Sequence, residues 1–132
     1  MVDVSASGQI IELTKRLADP NHAVLLSRKG DSCIIGDPLG RGKWSIHILS
    51  QQEARGKDLW LFCLKAMRWM VSDRRLTTAL FFVQKDNRPL QAFLAYYGLS
   101  KVADVSADEM LYIASKEQIK QSCIKHRIEW RV

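Results

Sequence analysis

Residues 43–83 decide the fold: KWSIHILSQQEARGKDLWLFCLKAMRWMVSDRRLTTALFFV. Apolar and polar side chains alternate over residues 43–49, which predicts a half-buried strand. After a polar stretch, residues 58–71 are apolar on nearly every side except for one narrow polar stripe, which predicts a helix packed against a sheet. Residues 77–83 have the composition of a buried strand. A strand, a helix and a second strand in this order predict a crossover between parallel strands.

Shorter elements are predicted on the amino-terminal side of this unit. Apolar residues at helical spacing predict a helix over residues 8–18, which Pro20 brings to an end. Residues 22–27 and 32–36 have strand composition and flank a tight turn, which predicts a pair of antiparallel strands. Residues 37–42 are rich in glycine and are predicted to form a loop.

Three more elements are predicted on the carboxyl-terminal side. Residues 86–98 begin with an Asp-Asn-Arg-Pro helix start and end at a glycine, which predicts a short helix. Residues 102–105 and 110–114 read as a hairpin, and apolar spacing over residues 117–127 predicts a last amphipathic helix.

The order of elements places the chain in the α+β class, with a mixed central β-sheet flanked by helices. We expect one domain over residues 1–132, because no linker, repeat or low-complexity segment interrupts the sequence. Its core is expected over residues 22–115, and residues 116–132 are expected to form a helical extension.

Charge and composition narrow the range of partners. Twenty basic and fourteen acidic side chains give a net charge of +6, which suits a phosphorylated cofactor, an acidic protein or a nucleic acid. The basic residues are scattered, so a nucleic-acid partner is allowed but not favoured. No apolar stretch approaches the ~20 residues that span a bilayer, and we expect no membrane partner. The three cysteines lack a CxxC pair, which favours reduced buried thiols and no metal site.

Two short motifs resemble those of the GNAT superfamily of acetyl-CoA-dependent N-acetyltransferases. Residues 52–60, QEARGKDLW, follow a strand and open the long helix, as the Arg/Gln-x-x-Gly-x-Gly/Ala loop of that family does. Residues 87–99, NRPLQAFLAYYGL, follow the next strand and are similar to the second signature of the family, which starts with asparagine. The resemblance implies the GNAT fold, acetyl-CoA as cofactor and acetyl transfer to an amine.

The resemblance also implies a set of cofactor contacts. A helix N-terminus binds anions through its free N–H groups and its dipole, and in this family it holds the pyrophosphate of acetyl-CoA. The two parallel strands are expected to separate and leave room for the pantetheine arm. The implied residues are Leu49 and Gln51 for the arm, Arg55, Gly56, Lys57, Asp58, Leu59 and Trp60 for the phosphates, and Asn87 for the thioester end. His47 is the candidate catalytic base, because it is the only histidine near the expected cleft.

Several positions depart from the family pattern. Its two loop glycines fall on Asp58 and Trp60, which are expected to add a like charge and bulk beside the phosphates. The tyrosine that serves many members as general acid falls on Leu94, which cannot return a proton to the departing thiolate. Tyr96 and Tyr97 lie nearby but point to other sides of the helix. The opening strand of the fold is also expected to be missing or unrecognised, because a helix begins the chain.

These observations leave two main functions open. The first is an active N-acetyltransferase with an amine-bearing acceptor. The second is a catalytically degenerate protein that works through protein partners in an oligomer or larger assembly, since the chain resembles small GNAT-like phage proteins, some of them virion components. The expected location is therefore the cytoplasm or a phage particle. A third function, nucleic-acid binding, rests only on the net charge and the tail at residues 116–131, whose acidic residues favour a solvated helix.

Overall fold

The computed structural model describes residues 2–3, 24–28, 32–50 and 56–131, and the helix predicted over residues 8–18 lies outside them. The strands are β1 (Val2–Asp3), β2 (Val24–Arg28), β3 (Ser32–Gly40), β4 (Lys43–Ser50), β5 (Thr78–Gln84), β6 (Lys101–Asp104) and β7 (Glu109–Ser115). The helices are α1 (Lys57–Arg74), α2 (Arg88–Tyr96) and α3 (Lys116–Lys125).

The strands form one mixed sheet in the order β2-β3-β4-β5-β7-β6, and β1 pairs separately with β4. Along this path β4 and β5 are parallel, and the other neighbours are antiparallel. The parallel pair is joined by α1, as a crossover requires. The predicted α+β class with a mixed central sheet is confirmed.

Helix α1 extends the predicted segment at both ends. Its buried side chains form one broad face that covers a little less than half of its circumference, and they are Leu59, Trp60, Cys63, Leu64, Ala66, Met67, Met70 and Val71. The helix ends at Arg75, whose left-handed backbone (φ 55°) lets its N–H bond to the carbonyl of Met70. Because a left-handed residue cannot continue the helical ladder, the chain turns there into β5.

The core lies between one face of the sheet and the helices. Alternate residues of β5 and β7 are buried and face each other in register: Ala79 with Ala114, Phe81 with Tyr112, and Val83 with Met110. Each fully buried side chain of the size of Phe81 contributes ~1.5–3 kcal/mol through lost apolar exposure. The three cysteines are buried free thiols, as predicted.

The prediction of a loop over residues 37–42 is wrong, because most of this segment is strand. β3 continues to Gly40 in antiparallel pairing with β4, and the chain returns through residues 41–42. Among the described residues, the pairing of β2 with β3 begins at Val24 and Gly36, so Pro38 has no described partner on that side of β3, where the missing N–H of proline is tolerated. Hairpin pairing with the start of β4 overrides a composition that is typical of loops.

Gly42 connects this turn to the start of β5 through hydrogen bonds. Its carbonyl accepts hydrogen bonds from the N–H of Thr77 (2.7 Å) and the N–H of Thr78 (3.2 Å). Its backbone has φ 77°, and a Cβ atom at this position would lie 2.6 Å from Oγ1 of Thr77. Only glycine meets both conditions, so β4 and β5 begin from a fixed point and can separate only further along.

Both shorter helices start at caps present in the sequence. Oδ1 of Asn87 accepts a hydrogen bond from the N–H of Leu90 (3.2 Å), which confirms the predicted start of α2. At the start of α3, Ser115 and Gln118 form a reciprocal capping box. The helix therefore begins at Lys116, one residue before the predicted start at residue 117. Within the described ranges, no helix is long and apolar enough to cross a membrane.

Candidate functional site

The central feature is a gap between β4 and β5. The two strands pair only at their starts, where Lys43, Trp44 and Ser45 face Thr78, Ala79 and Leu80. Both strands then continue, β4 to Ser50 and β5 to Gln84, without further pairing to each other. Among the described residues, no strand pairs with residues 46–48 on this edge of β4, so their backbone groups on that side face the gap.

The far end of this edge is occupied by β1. Val2 pairs with Leu49 and Asp3 with Ser50, in parallel. β3 already holds the opposite edge of β4 at the same two residues, so β1 must lie on the edge that faces β5. Of the two alternatives for the opening strand, missing or unrecognised, the structure agrees with the second: a two-residue strand is present. It pairs with the Leu49 backbone that the resemblance assigns to the cofactor arm.

The N-terminus of α1 opens beside this gap. Gly56 precedes the helix with φ 120° and ψ −155°, a conformation suited to glycine, and provides no side-chain cap. The N–H groups of Lys57, Asp58 and Leu59 have no helical acceptor by the geometry of a first turn. The next N–H, of Trp60, is bonded to the carbonyl of Gly56 at 3.1 Å. Three donors and the helix dipole thus form an anion-binding end.

The expectation that the Trp60 ring crowds the phosphate position is wrong. The side chain is 2% exposed and points into the core. It stacks on Tyr97 (ring centroids 4.6 Å apart, interplanar angle 14°) and meets the edge of Phe93 at 5.8 Å. Asp58, two residues earlier, is exposed, so its carboxylate remains the one predicted obstacle on the solvent side of the helix end.

A cavity of about 430 Å³ connects this helix end to α2. Its lining residues are Gly56, Lys57, Pro89, Ala92, Phe93, Tyr96 and Tyr97. Tyr96 is 82% exposed at its rim, whereas burial raises the pKa of Tyr97 above its ordinary value. The contribution of Pro89, Ala92 and Tyr96 was not predicted, although their spacing of three and four residues places them on one side of α2.

His47 lies on β4, two residues beyond the last pair with β5. Its Nε2 is 3.0 Å from Oδ2 of Asp37 and 3.3 Å from Oγ of Ser45. Its side chain is about half exposed, at 48%. Because one nitrogen meets both partners, the three residues are not arranged as a Ser–His–Asp triad, in which the two ring nitrogens serve different partners. A neutral ring that donates from Nε2 to Asp37 keeps Nδ1 as a proton acceptor.

Sequence reasoning missed Asp37, because the segment was read as loop. In the structure Asp37 pairs with Ser45 across β3 and β4, which puts its carboxylate diagonal to His47. Asp37 could have been found from the strand at residues 43–49: pairing its start with the residues before the turn brings Asp37 opposite Ser45.

The remaining predicted residues have structural roles or lie elsewhere. Asn87 caps α2 with the oxygen that the resemblance directs toward the thioester. Leu94 is fully buried in the core, so the family position for the general acid holds an apolar side chain inside the fold. Gln51 and Arg55 lie outside the described residues.

The sequence matches no protein-family model and no curated protein. Solved structures do match. RimJ of Mycobacterium smegmatis, in complex with CoA-disulfide, has a TM-score of 0.66 at 13% identity, covering 94% of this chain and 70% of RimJ. The spermidine/spermine N-acetyltransferase SpeG of Vibrio cholerae has a TM-score of 0.64 at 12% identity, covering 90% and 80%. The N-acetyltransferase PseH of Campylobacter jejuni, in complex with acetyl coenzyme A, has a TM-score of 0.62 at 10% identity, covering 83% and 78%. The chain has the GNAT fold.

Proposed function

We propose that this chain is an N-acetyltransferase that binds acetyl-CoA and transfers the acetyl group to an amine. The observation that carries the proposal is the separation of β4 from β5 beside the N-terminus of α1, where the described residues provide no side-chain cap. Neighbours of the same fold that were solved with CoA-disulfide or with acetyl coenzyme A support it.

The chain offers a fitting set of groups for the cofactor. The N–H groups of residues 57–59 and the ammonium of Lys57 match the pyrophosphate in charge. The cavity of about 430 Å³ between this helix end and α2 gives room for the adjoining part of the molecule. The open edge of β4 after Ser45 provides backbone groups for the amides of the pantetheine arm.

The residues around His47 fit the chemistry of the amine. Acetyl-CoA supplies an acetyl group activated as a thioester. An attacking amine must lose a proton, and Nδ1 of His47 is the acceptor we assign to it, with Asp37 fixing the ring through Nε2. The N–H groups of residues 46–48 that face the gap have no strand partner among the described residues, and they would stabilise negative charge on the carbonyl oxygen.

The strand β1 opposes this binding mode. An arm that pairs with β4 along the gap meets Val2 and Asp3 at Leu49 and Ser50. β1 contributes only two residue pairs, so its displacement costs little compared with the groups that the cofactor would engage. We therefore expect binding to begin with the release of β1.

A second candidate is a degenerate protein that keeps the fold without the reaction. The buried Leu94 at the family position for the acid favours this reading, since no proton donor stands there for the departing thiolate. Such a protein would act through contacts with partners, for which the resemblance to phage assembly proteins provides the model.

Thermal unfolding with acetyl-CoA tests the proposal. A ligand at 100 times its dissociation constant adds ~2.7 kcal/mol, which for a chain of this length raises Tm by about 10 °C. No shift at millimolar acetyl-CoA would contradict both cofactor binding and catalysis. A shift without acetylation of polyamines, aminoglycosides or peptide amines would favour the degenerate candidate.

A further inference from the structure

A cationic groove lies away from the gap, between α1 and the segment that follows α3. It encloses about 390 Å³. One wall is formed by Leu61, Lys65 and Arg68, which lie on successive turns of one side of α1. The other wall is formed by the segment His126, Arg127, Ile128 and Glu129.

The charge of this groove is positive. Lys65, Arg68 and Arg127 carry full positive charges at neutral pH. The one acidic residue in the lining is Glu129, and its carboxylate forms an ion pair with Arg131. The carboxylate of Glu129 is therefore shared with Arg131, and it neutralises the cations of the groove only weakly.

Arg68 is held in place with one donor unused. Its Nη1 donates to the backbone carbonyl of Glu129 at 2.6 Å. Its Nε is shut off from water, and no acceptor meets it in the part of the chain that the structure describes. A buried donor without an acceptor costs free energy. Because Nε is enclosed, a ligand in the groove would meet the guanidinium at its other N–H groups.

Arg127 occupies a backbone position that disfavours its side chain. The end of α3 is closed by bonds from Arg127 N–H to Ile124 (3.0 Å) and from Ile128 N–H to Cys123 (2.8 Å). At this position φ is 59°, where glycine is the usual residue. Arginine at this position lowers the stability of the fold, and it places a third cation in the groove.

We propose that this groove binds the phosphate group of a phosphorylated small molecule. An arginine guanidinium can donate two parallel hydrogen bonds to two oxygens of one phosphate, and the ammonium of Lys65 adds a further positive charge. The volume exceeds that of a single phosphate, so the remainder of a small ligand fits as well. The site is independent of the acetyl-CoA function proposed above.

Inorganic phosphate is the probe, titrated at constant ionic strength against a chloride control. Amide resonances of residues 126–129 and 65–68 are expected to shift with phosphate and not with chloride. Arg127→Gly should weaken phosphate binding about tenfold by removing one charged contact. The same change should raise Tm by about 3 °C by relieving the left-handed backbone.

Arg75→Gly is the matched control. Arg75 has nearly the same backbone (φ 55°) at the end of α1 and does not line the groove. It should raise Tm by a similar amount and leave phosphate binding unchanged. Phosphate shifts confined to residues 57–59 would overturn the groove proposal while supporting the anion site of α1. Equal phosphate affinity in Arg127→Gly and the original chain would also overturn it.

Discussion

Removing β1 from the edge of β4 is expected to tighten the binding of acetyl-CoA. The perturbation is the double substitution Val2→Pro and Asp3→Pro, which removes both backbone N–H groups of the strand. β1 holds β4 through two residue pairs. At about 1 kcal/mol net for each of two ladder hydrogen bonds, the pairing is worth ~1–2 kcal/mol. A ligand that must first displace it gains that amount when it is absent, or about 5–30-fold in affinity.

The assay combines calorimetric titration with amide hydrogen exchange. In the proline variant, exchange without cofactor should speed up at whichever of the Leu49 and Ser50 amides faces β1, and the dissociation constant for acetyl-CoA should fall. Val2→Ala with Asp3→Ala is the control, because it keeps both N–H groups and should leave both readings unchanged. Equal affinity of the proline variant and the original chain for acetyl-CoA would refute competition between β1 and the cofactor. Weaker binding by the proline variant would make β1 part of the site instead.

Three further predictions concern single residues. His47→Gln should lower kcat by about 10²-fold or more with little change in the dissociation constant of acetyl-CoA, and equal kcat would exclude His47 as the base. Asp58→Asn should tighten acetyl-CoA binding about two- to fivefold by removing a like charge, and should cost ~0.3–1 kcal/mol of stability at the helix end; weaker cofactor binding would show that Asp58 is not an obstacle. Burial raises the pKa of Cys33 to about 11 from 9.0, so the folded chain holds this proton longer than the unfolded one. The free energy of unfolding should therefore fall as pH rises from 9 to 11, and Cys33→Ala should flatten this fall in urea titrations at several pH values.

The parts of the fold that the sequence predicts well are those in which local pattern and tertiary role agree. The apolar run in residues 58–71 predicts α1 because a helix packed between a sheet and other helices needs apolar residues on most sides. The Asn87 cap and the glycine at residue 98 mark α2 because they satisfy the free ends of a helix in any context.

The errors come from strand pairing and packing that local composition does not reveal. Residues 37–42 read as a loop because glycine and proline favour turns, but β4 supplies a pairing partner for most of them. β1 is only two residues long, so no periodicity could reveal it. Trp60 was placed by motif position beside the phosphates, whereas the rotation of α1 turns its ring toward Tyr97.

The candidate site was predictable in its location more than in its contacts. The order of strand, loop and helix places an anion-binding helix end beside a strand edge, and both are present. The role of Asp37 beside His47 depends on strand register, and the role of β1 depends on which edge of β4 is free. Neither register nor edge use is determined by local sequence.

Hydrogen exchange of the chain with and without acetyl-CoA tests the central claim most directly. We expect slower exchange at two places at once: the amides of residues 57–59 at the start of α1, and those amides among residues 46–48 that face the gap rather than β3. Unchanged exchange at both places in millimolar acetyl-CoA, or protection confined to other parts of the chain, would contradict a cofactor site in the gap between β4 and β5.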